Sequence, residues 1–353
     1  MLLNYVMIAK EALETKAELE LATTKSQFQK LLHSFQPDMV HLFGAWSWQN
    51  AVAAFQASRC GVRYVVTPFC QLEPWVMQTR HWHEKMPKRL LFQKRLLTKA
   101  YAIISMSDSE RAGISRIGWN QRIEVVENPQ TTTAITAEEM GHQLIAIYRK
   151  VLDSNLMERM QPATIQAIPC LIKVGLTSNG NWLSEEEKRS CSQLSLEEWD
   201  KLLLYSQQEH FFNTILTGTK ILQLHVPEVN IEERPCYYPD HLKDHRTDMG
   251  DYSLRLDDAN IIRHLKTIIR QAKKNQLTIH DIIEYAYALY HASLTEDKLQ
   301  EKLRNEDMTK DTASIMAVLQ QLTDMDEGMM PLVPSASRLS KKVLRNIQNH
   351  LAI

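Results

Sequence analysis

Residues 38–66, DMVHLFGAWSWQNAVAAFQASRCGVRYVV, contain two short apolar segments separated by a helical pattern. The first segment, 38–43, ends at Gly44, which is typical of a buried strand followed by a tight turn. The second segment, 62–66, follows Gly61, a residue suited to the left-handed turn beyond a helix end. The stretch therefore predicts a strand, a helix and a second strand.

The same alternation continues to residue 126. Residues 101–105 and 122–126 are again short β-branched runs, and Ser107 or Asp108 is placed to cap a helix between them. Strands that alternate with helices indicate a parallel sheet whose strands are joined by helical crossovers. The sequence therefore predicts an α/β fold with a partial, Rossmann-like parallel sheet.

After residue 135 the pattern changes to helices. Three pairs have the spacing of a capping box, namely Thr136 with Glu139, Ser184 with Glu187 and Ser195 with Glu198. Later segments, such as IIRHLKTIIRQAKK and ASIMAVLQQL, have apolar residues at helical spacing, which predicts a helical bundle. We therefore expect an α/β domain at 1–155 and an α-helical domain of unknown role at 156–353.

The composition is that of a globular protein, with 44% hydrophobic and 24% charged residues and a net charge of -1. That charge gives the whole protein no attraction to nucleic acid, so no nucleic-acid partner is expected. The five cysteines are odd in number and lack C-x-x-C spacing, which favours reduced thiols. No apolar run approaches the roughly 18 residues of a membrane span. We expect a cytoplasmic protein that is at most peripheral to the inner face of a membrane.

The segment from about residue 35 to residue 129 resembles the amino-terminal domain of family 4 glycosyltransferases, enzymes with two facing Rossmann-like domains (GT-B type). The blocks that carry the resemblance are PDMVHLFGAWSWQNAVAAFQASRCGVRYVVTPFCQLEPW, a basic helix, YAIISMSDSERAGI and IEVVENP. The resemblance implies transfer of a hexosyl or related sugar from a nucleotide-sugar to a glycan or lipid-linked acceptor. It also implies a role in bacterial surface polysaccharide synthesis, without a metal ion or other cofactor.

The chain departs from the family pattern in three places. It opens with a helical segment instead of a strand and a glycine-rich loop. The family's Thr-Pro-His-Gly strand end is replaced by Thr67-Pro68-Phe69-Cys70, so no imidazole is placed in the cleft. No two glutamates have seven residues between them, which is the family's donor-binding signature. The alternative to a transferase is thus a non-catalytic scaffold or glycan-binding module with a degenerate transferase fold. A third alternative is a half-enzyme whose donor domain comes from a second chain.

The loops that follow the strands supply the candidate site, because ligands of open α/β sheets bind beyond the carboxyl ends of the strands. Trp46 and Trp75 offer indole rings on which a sugar can stack, or which pack loop against helix. Glu73 offers a carboxylate to an acceptor hydroxyl, or is a solvated loop residue. No residue is assigned as a catalytic base. The predicted substrate-binding residues are Gly44, Trp46, Phe69, Glu73, Trp75, Ser107, Glu110 and Asn128.

The basic run RHWHEKMPKRLLFQKRLLTK predicts a helix from Pro87 to Lys99. We expect its cations to point outward and its leucines to occupy an inner face, namely Leu90, Leu91, Leu96 and Leu97. Such a surface, at 85–99, is a candidate for peripheral membrane contact, and a solvated face is the alternative.

Two further features concern ligands and partners. Neither His81-Trp82-His83 nor the pair His241 and His245 has a third ligand at metal-site spacing, so no metal site is predicted. The helical domain is a candidate for contact with a partner protein, through Tyr237-Tyr238-Pro239 or the segment 326–331.

Overall fold

The computed structural model describes residues 2–78, 85–132, 134–230, 234–243, 252, 254–292 and 296–351. The chain folds as two compact units. Unit 1 consists of Met1–Ser154 and Pro235–Tyr237, and unit 2 of Asn155–Arg234 and Tyr238–Ala352. The assignment of 1–155 to a glycosyltransferase-like domain and of 156–353 to a helical domain of unknown role stays a prediction.

Unit 1 contains one parallel sheet of four strands in the order β1-β2-β3-β4. The register places Met39 opposite Arg63 and Phe43 opposite Thr67. Each strand lies within one residue of its predicted bounds, which confirms the predicted α/β fold with a partial parallel sheet. The strands are β1 Met39–Phe43, β2 Arg63–Thr67, β3 Ala102–Ser105 and β4 Ile123–Val125.

Eight α-helices accompany this sheet in the described part of unit 1, and a π-helical turn at Arg89–Gln93 joins the fifth to the sixth. They are α1 Leu2–Leu13, α2 Lys25–Ser34, α3 Trp48–Arg59, α4 Pro74–Gln78, α5 Met86–Lys88, α6 Lys94–Lys99, α7 Asp108–Ile117 and α8 Ala137–Leu152.

The sheet is covered on both faces because successive side chains of a strand point to opposite sides. Leu42 of β1 faces a core shared with Ala54 of α3, Leu97 of α6 and Ile114 of α7. The neighbouring His41 points the other way, where its ring meets Tyr148 of α8. On that second face α1 and α8 approach each other closely.

A glycine makes this close approach possible. A Cβ added at Gly141 of α8 would lie 2.5 Å from the main-chain oxygen of Ala12 in α1. No real side chain tolerates that separation, so any larger residue at Gly141 forces the two helices apart. The packing of α1 on α8 encloses the second face of the sheet.

Two of the three predicted capping boxes are present. In the Thr136 and Ser184 boxes, each N-cap hydroxyl and the glutamate three residues later bond reciprocally to the main chain. Of the capping box predicted for Ser195 and Glu198, only one of the two hydrogen bonds is present. Ser195 accepts from the Glu198 main-chain N–H, but the Glu198 carboxylate instead accepts from the N–H of Gln161 and the hydroxyl of Thr164. Glu198 is buried, and its hydrogen bonds with Gln161 and Thr164 fix the orientation of its carboxylate.

The prediction that four leucines form the inner face of the basic helix is wrong for two of them. Leu96 and Leu97 are buried, but Leu90 and Leu91 are 77% and 74% exposed. On a regular α-helix Leu90 and Leu97 would share a face, because seven residues correspond to about 700°. The π-helical turn at Arg89–Gln93 breaks that period between the two pairs. Phe92 and Gln93 are buried in place of the first pair. His81, Trp82 and His83 lie outside the described residues.

In unit 2 every described element is helical, and the helices pack around one hydrophobic core. The helices are α9 Pro162–Thr177, α10 Glu185–Ser192, α11 Leu196–Gln208, α12 Phe212–Ile221, α13 Asp240–Lys243, α14 Ile261–Lys274, α15 Ile279–Tyr290, α16 Glu296–Asn305, α17 Thr309–Thr323 and α18 Arg338–Gln348.

The tightest helix pair in unit 2 is α9 with α12. A Cβ at Gly175 would lie 2.2 Å from the Thr214 main-chain oxygen, and one at Gly218 would lie 2.4 Å from that of Leu171. Glycines on both helices therefore let the two backbones touch. Across the described residues, no helix is long and apolar enough to cross a membrane.

Candidate functional site

The carboxyl ends of the four strands meet at one edge of the sheet because the strands are parallel. Three loops leave this edge, at 44–47, 68–73 and 106–107, and a fourth segment follows β4. The predicted site residues lie in these loops or at the starts of the helices that follow.

The loop after β1 is fixed by hydrogen bonds from two later segments. Gly44, at φ +91°, donates its N–H to the Thr67 oxygen over 2.7 Å. Trp46, at φ +61°, donates its main-chain N–H to Gln93 Oε1 at 2.8 Å and its indole N–H to the Gln71 oxygen at 3.0 Å. The indole is partly buried against the core. Trp46 is therefore held in one orientation, with its polar atom occupied.

The loop after β2 contains two consecutive residues in the left-handed region, Phe69 at φ +62° and Cys70 at φ +58°. For residues with a side chain this conformation costs roughly 1–2 kcal/mol each. Two contacts stabilise it. The Phe69 ring packs edge-on against Tyr5 of α1 with 5.5 Å between centroids, and the Cys70 N–H donates to Glu110 Oε1 at 2.6 Å. Phe69 is half-buried.

Glu110 is completely buried and connects two loops. Its second oxygen, Oε2, accepts from the Met106 N–H at 2.8 Å, and its own N–H donates to the capping hydroxyl of Ser107. Burial raises the pKa of Glu110, and the two main-chain donors act in the opposite direction. Because both oxygens are occupied by the backbone, Glu110 holds the loops after β2 and β3 in register.

The side chains of Glu73, Cys70 and Trp75 differ in their exposure to solvent. Glu73 is half-buried, and its charge reaches Cys70 and Glu110. Burial, together with these two carboxylates, raises the pKa of Cys70 to about 11, so the thiol stays protonated at neutral pH. Trp75, on α4, is 70% exposed. Trp75 is the most exposed of the predicted residues, whereas Glu73 is half-buried like Trp46, Phe69 and Ser107.

Asn128 follows β4 and is buried. Its Oδ1 accepts from the Gln130 N–H at 3.0 Å, and its main-chain oxygen accepts from Thr131. Within the described part of the chain its Nδ2 has no hydrogen-bond partner. A buried donor without a partner costs roughly 1–3 kcal/mol, so Nδ2 is a group that a ligand oxygen could satisfy.

The structure joins several of the predicted residues directly. Glu110 bonds to Ser107 and to the loop that contains Phe69 and Cys70. Gly44 and Trp46 are fixed by residues that were not predicted, Gln71, Gln93 and Asn50. Gln71 lies two residues beyond Phe69, so its position in the loop was a usable signal. Gln93 lies in the π-helical turn and Asn50 lies in α3. Nothing in the sequence distinguishes these two residues from other helical positions.

A cavity of about 810 Å³ runs along the outer edge of β1, away from most of these loops. Side chains of α1, α2, α3 and α8 line it and most of them are apolar. His41 borders the cavity, with Nδ1 2.6 Å from the Tyr148 hydroxyl and Nε2 2.7 Å from Thr67 Oγ1. Burial lowers the pKa of His41 to about 3, so the ring is neutral at pH 7. The edge cavity thus suits an apolar group better than a sugar.

Among the described residues no group of three or more His, Cys, Asp or Glu side chains could hold a metal ion. His245 lies outside those residues, as do His81 and His83.

Comparison with known proteins gives one match. Residues 12–129, a third of the chain, match the family described as Glycosyl transferase 4-like domain. No curated protein and no solved structure matches the chain. The matched segment begins in α1, contains all four strands and includes every predicted site residue. Residues 12–129 are therefore similar to a glycosyl transferase 4-like domain.

Proposed function

We propose that the protein acts in glycosyl transfer during surface polysaccharide synthesis, and that unit 1 holds a glycan or lipid-linked acceptor at the carboxyl ends of β1 to β4. The observation that carries this proposal is the rigid strand-end region. Glu110 and Gln71 fix the loops after β1, β2 and β3, while the half-buried Glu73 and the exposed Trp75 follow in the same segment. A carboxylate next to an exposed indole is a suitable pair for a sugar, whose hydroxyls donate and whose ring face stacks.

The same geometry favours acceptor binding over transfer by this chain alone. A departing nucleotide diphosphate needs cations or free backbone amides, and the amides of Cys70 and Met106 are instead occupied by the Glu110 carboxylate. Phe69 supplies no charge. Unit 2 contains no second parallel sheet among its described residues. We therefore expect a nucleotide-sugar donor to bind weakly to the isolated protein.

The exposed leucines of the basic segment add a membrane component to this proposal. Leu90 and Leu91 project from the π-helical turn, and Lys94, Arg95 and Lys99 are exposed in α6. Apolar side chains beside cations suit the interface of an anionic bilayer, where a lipid-linked acceptor resides. In this proposal the segment 85–99 brings unit 1 to its acceptor.

The test uses a panel of octyl glycosides of glucose, galactose, mannose and N-acetylglucosamine, with saturation-transfer NMR of the full chain. We expect at least one glycoside to bind, and Glu73→Gln and Trp75→Ala to weaken it. Trp182→Ala, which removes a 46% exposed indole from unit 2, is the matched control and should leave binding unchanged.

A second measurement separates binding from transfer. Calorimetric titration with uridine, guanosine and adenosine diphosphate sugars should give no tight complex. A micromolar dissociation constant, about -8 kcal/mol, would instead restore the complete transferase. Absence of glycoside binding, or equal loss in the Trp182→Ala control, would overturn the acceptor proposal.

A further inference from the structure

Two helices of unit 2 carry cations on their outer faces and no acidic residue at all. They are α14, IIRHLKTIIRQAKK, and α18, RLSKKVLRNIQ. The two helices pack against each other, and Lys342 Nζ donates to the Lys273 main-chain oxygen at 2.9 Å. The basic face of α14 and α18 consists of nine exposed residues, Arg263, Lys266, Arg270, Lys273, Lys274, Arg338, Lys341, Lys342 and Arg345.

The helical period places these cations together. At 3.6 residues per turn, the five cations of α14 fall within an arc of about 100°, and so do the four of α18. The apolar residues of each helix, such as Leu265 and Val343, point into the core on the opposite side. The helices are roughly 21 and 16 Å long at 1.5 Å per residue. The cations are therefore spread over a broad surface and not along a single line.

Few carboxylates offset this charge. Lys266 pairs with Glu306 at 2.9 Å and Lys273 with Asp311 at 2.6 Å, both at exposed positions where such pairs contribute little. The other seven cations form no ion pair with any described residue. Residues 136–353 as a whole contain 25 Lys or Arg against 31 Asp or Glu. The face is thus a local concentration of positive charge in an acidic part of the chain.

We propose that the basic face of α14 and α18 docks on an anionic phospholipid bilayer. A bilayer presents phosphate groups over a plane, which matches cations spread across two adjacent helices. A hollow of about 480 Å³ among Arg263, Lys266 and Arg270 gives headgroups access to three of them. Cations at such a surface contribute roughly 1 kcal/mol each, so seven unpaired cations suffice for reversible attachment.

The amino-acid composition of the basic face favours a bilayer over other polyanions. Neither helix contains Phe, Tyr or Trp. Single-stranded nucleic acids and sugar chains are bound largely through stacking on such rings, which this face does not offer. Duplex nucleic acid makes no such demand and is therefore included as a competitor in the test.

The experiment is sedimentation of the full chain with phosphatidylcholine vesicles containing 0 or 30% phosphatidylglycerol, at low and high salt. We expect binding to the anionic vesicles only, with loss at high salt because the attraction is screened. The test variant is Arg270→Gln, Lys274→Gln, Lys341→Gln, Arg345→Gln. Its partition coefficient should fall roughly 100- to 1000-fold, from about 1 kcal/mol for each cation.

The matched control removes the same number of cations, one lysine and three arginines, from other exposed positions, as Lys30→Gln, Arg59→Gln, Arg116→Gln, Arg189→Gln. It should bind like the parent, and both variants should melt like the parent. Equal binding by the test variant and the parent would overturn the proposal, because attachment would then come from another surface such as 85–99. Absence of anionic vesicle binding, or preferential binding to a 20-base-pair DNA duplex at equal phosphate concentration, would also overturn it. None of these results depends on whether unit 1 binds a sugar.

Discussion

At the scale of single residues, Phe69 and Cys70 are held in the left-handed conformation by contacts that are made elsewhere. Tyr5 packs on the Phe69 ring, and Glu110 binds the Cys70 N–H. The strain is therefore stored next to the strand ends where ligands of this fold bind.

The strain at Phe69 can be measured with two substitutions. Phe69→Ala and Phe69→Gly both lose the contact with Tyr5, which should lower the free energy of unfolding by roughly 1–3 kcal/mol because the ring is half-buried. Only glycine adopts φ +62° without steric cost. After allowance for the greater freedom of glycine in the unfolded chain, we expect Phe69→Gly to be more stable than Phe69→Ala by about 0.5–1 kcal/mol. Urea unfolding measures both. An alanine variant as stable as the parent would show that the ring stabilises nothing.

His41 makes stability depend on pH. Burial lowers its pKa from 6.5 to about 3 in the folded protein, so the unfolded chain takes up the proton first as the pH falls. The stabilisation of the folded protein by the neutral His41 ring is complete above pH 6.5. Towards pH 3 the free energy of unfolding falls by up to about 1.4 kcal/mol per pH unit. The buried Glu110, whose pKa is raised, acts with the opposite sign: its contribution is complete at low pH and is lost as the pH rises through its folded pKa.

The test compares the parent with His41→Gln by urea unfolding between pH 4.5 and pH 7.5. Glu110 is present in both proteins, so its effect cancels in the difference. We expect a shallower acid slope in the variant, and parallel slopes would contradict the burial of a neutral ring.

Some residues of the strand-end region were predictable and others were not, for a physical reason. Ser107 was found because a capping hydroxyl and its helix are adjacent in sequence. Gln93, which fixes Trp46, was missed because 47 residues separate the two. Glu110 was placed near the strand ends by its position in the sequence, but its burial depends on two loops that the sequence does not bring together.

At the scale of elements, the π-helical turn determines what the basic segment presents to solvent. Leu90 and Leu91 lie on the turn and are exposed, whereas Leu96 and Leu97 of α6 are buried against the sheet. We expect Leu97→Ala to lower the free energy of unfolding by roughly 2–5 kcal/mol. Leu90→Ala, the same substitution at an exposed position, should change it by no more than about 0.5 kcal/mol. Thermal unfolding of the pair checks this difference, and equal losses would place Leu90 in the core.

The four strands were predicted from sequence within one residue, whereas the orientation of this helix was not. A strand buried on both faces is an apolar run bounded by turn residues, and that signal is local. The helix has apolar residues on more than one side, so its sequence is compatible with several inner faces. Its contacts with β-strands far along the chain select among them.

At the scale of the whole molecule, unit 1 is not continuous in sequence. Tyr237 belongs to it, although 80 residues of unit 2 precede Pro235. The Tyr237 hydroxyl donates to Glu124 at 2.8 Å, and Lys150 lies 2.7 Å from the same carboxylate and 4.4 Å from the Tyr237 ring. Burial, with help from Glu124, raises the pKa of Tyr237 far above its usual value, so the hydroxyl remains the donor.

Removal of that hydroxyl tests the connection. Tyr237→Phe keeps the ring against Lys150 and should lower the free energy of unfolding of unit 1 by about 1–2 kcal/mol, since Glu124 is only partly shielded from water. In a Glu124→Gln background the same substitution should cost less, because the charged acceptor is gone. Guanidinium unfolding of the four proteins measures the coupling, and additive losses would mean that the two side chains act independently.

The place of Tyr237 in unit 1 has a consequence for the order of events during synthesis. The Tyr237 N–H also donates to Ser154 Oγ at 2.7 Å, so the last partner of Ser154 is translated 83 residues after Ser154 itself. At roughly 5–20 residues per second, that interval lasts about 4–17 s. A nascent chain that has completed the sheet and α8 therefore waits, with Glu124 and Ser154 still solvated, until the first helices of unit 2 have left the ribosome and residue 237 arrives.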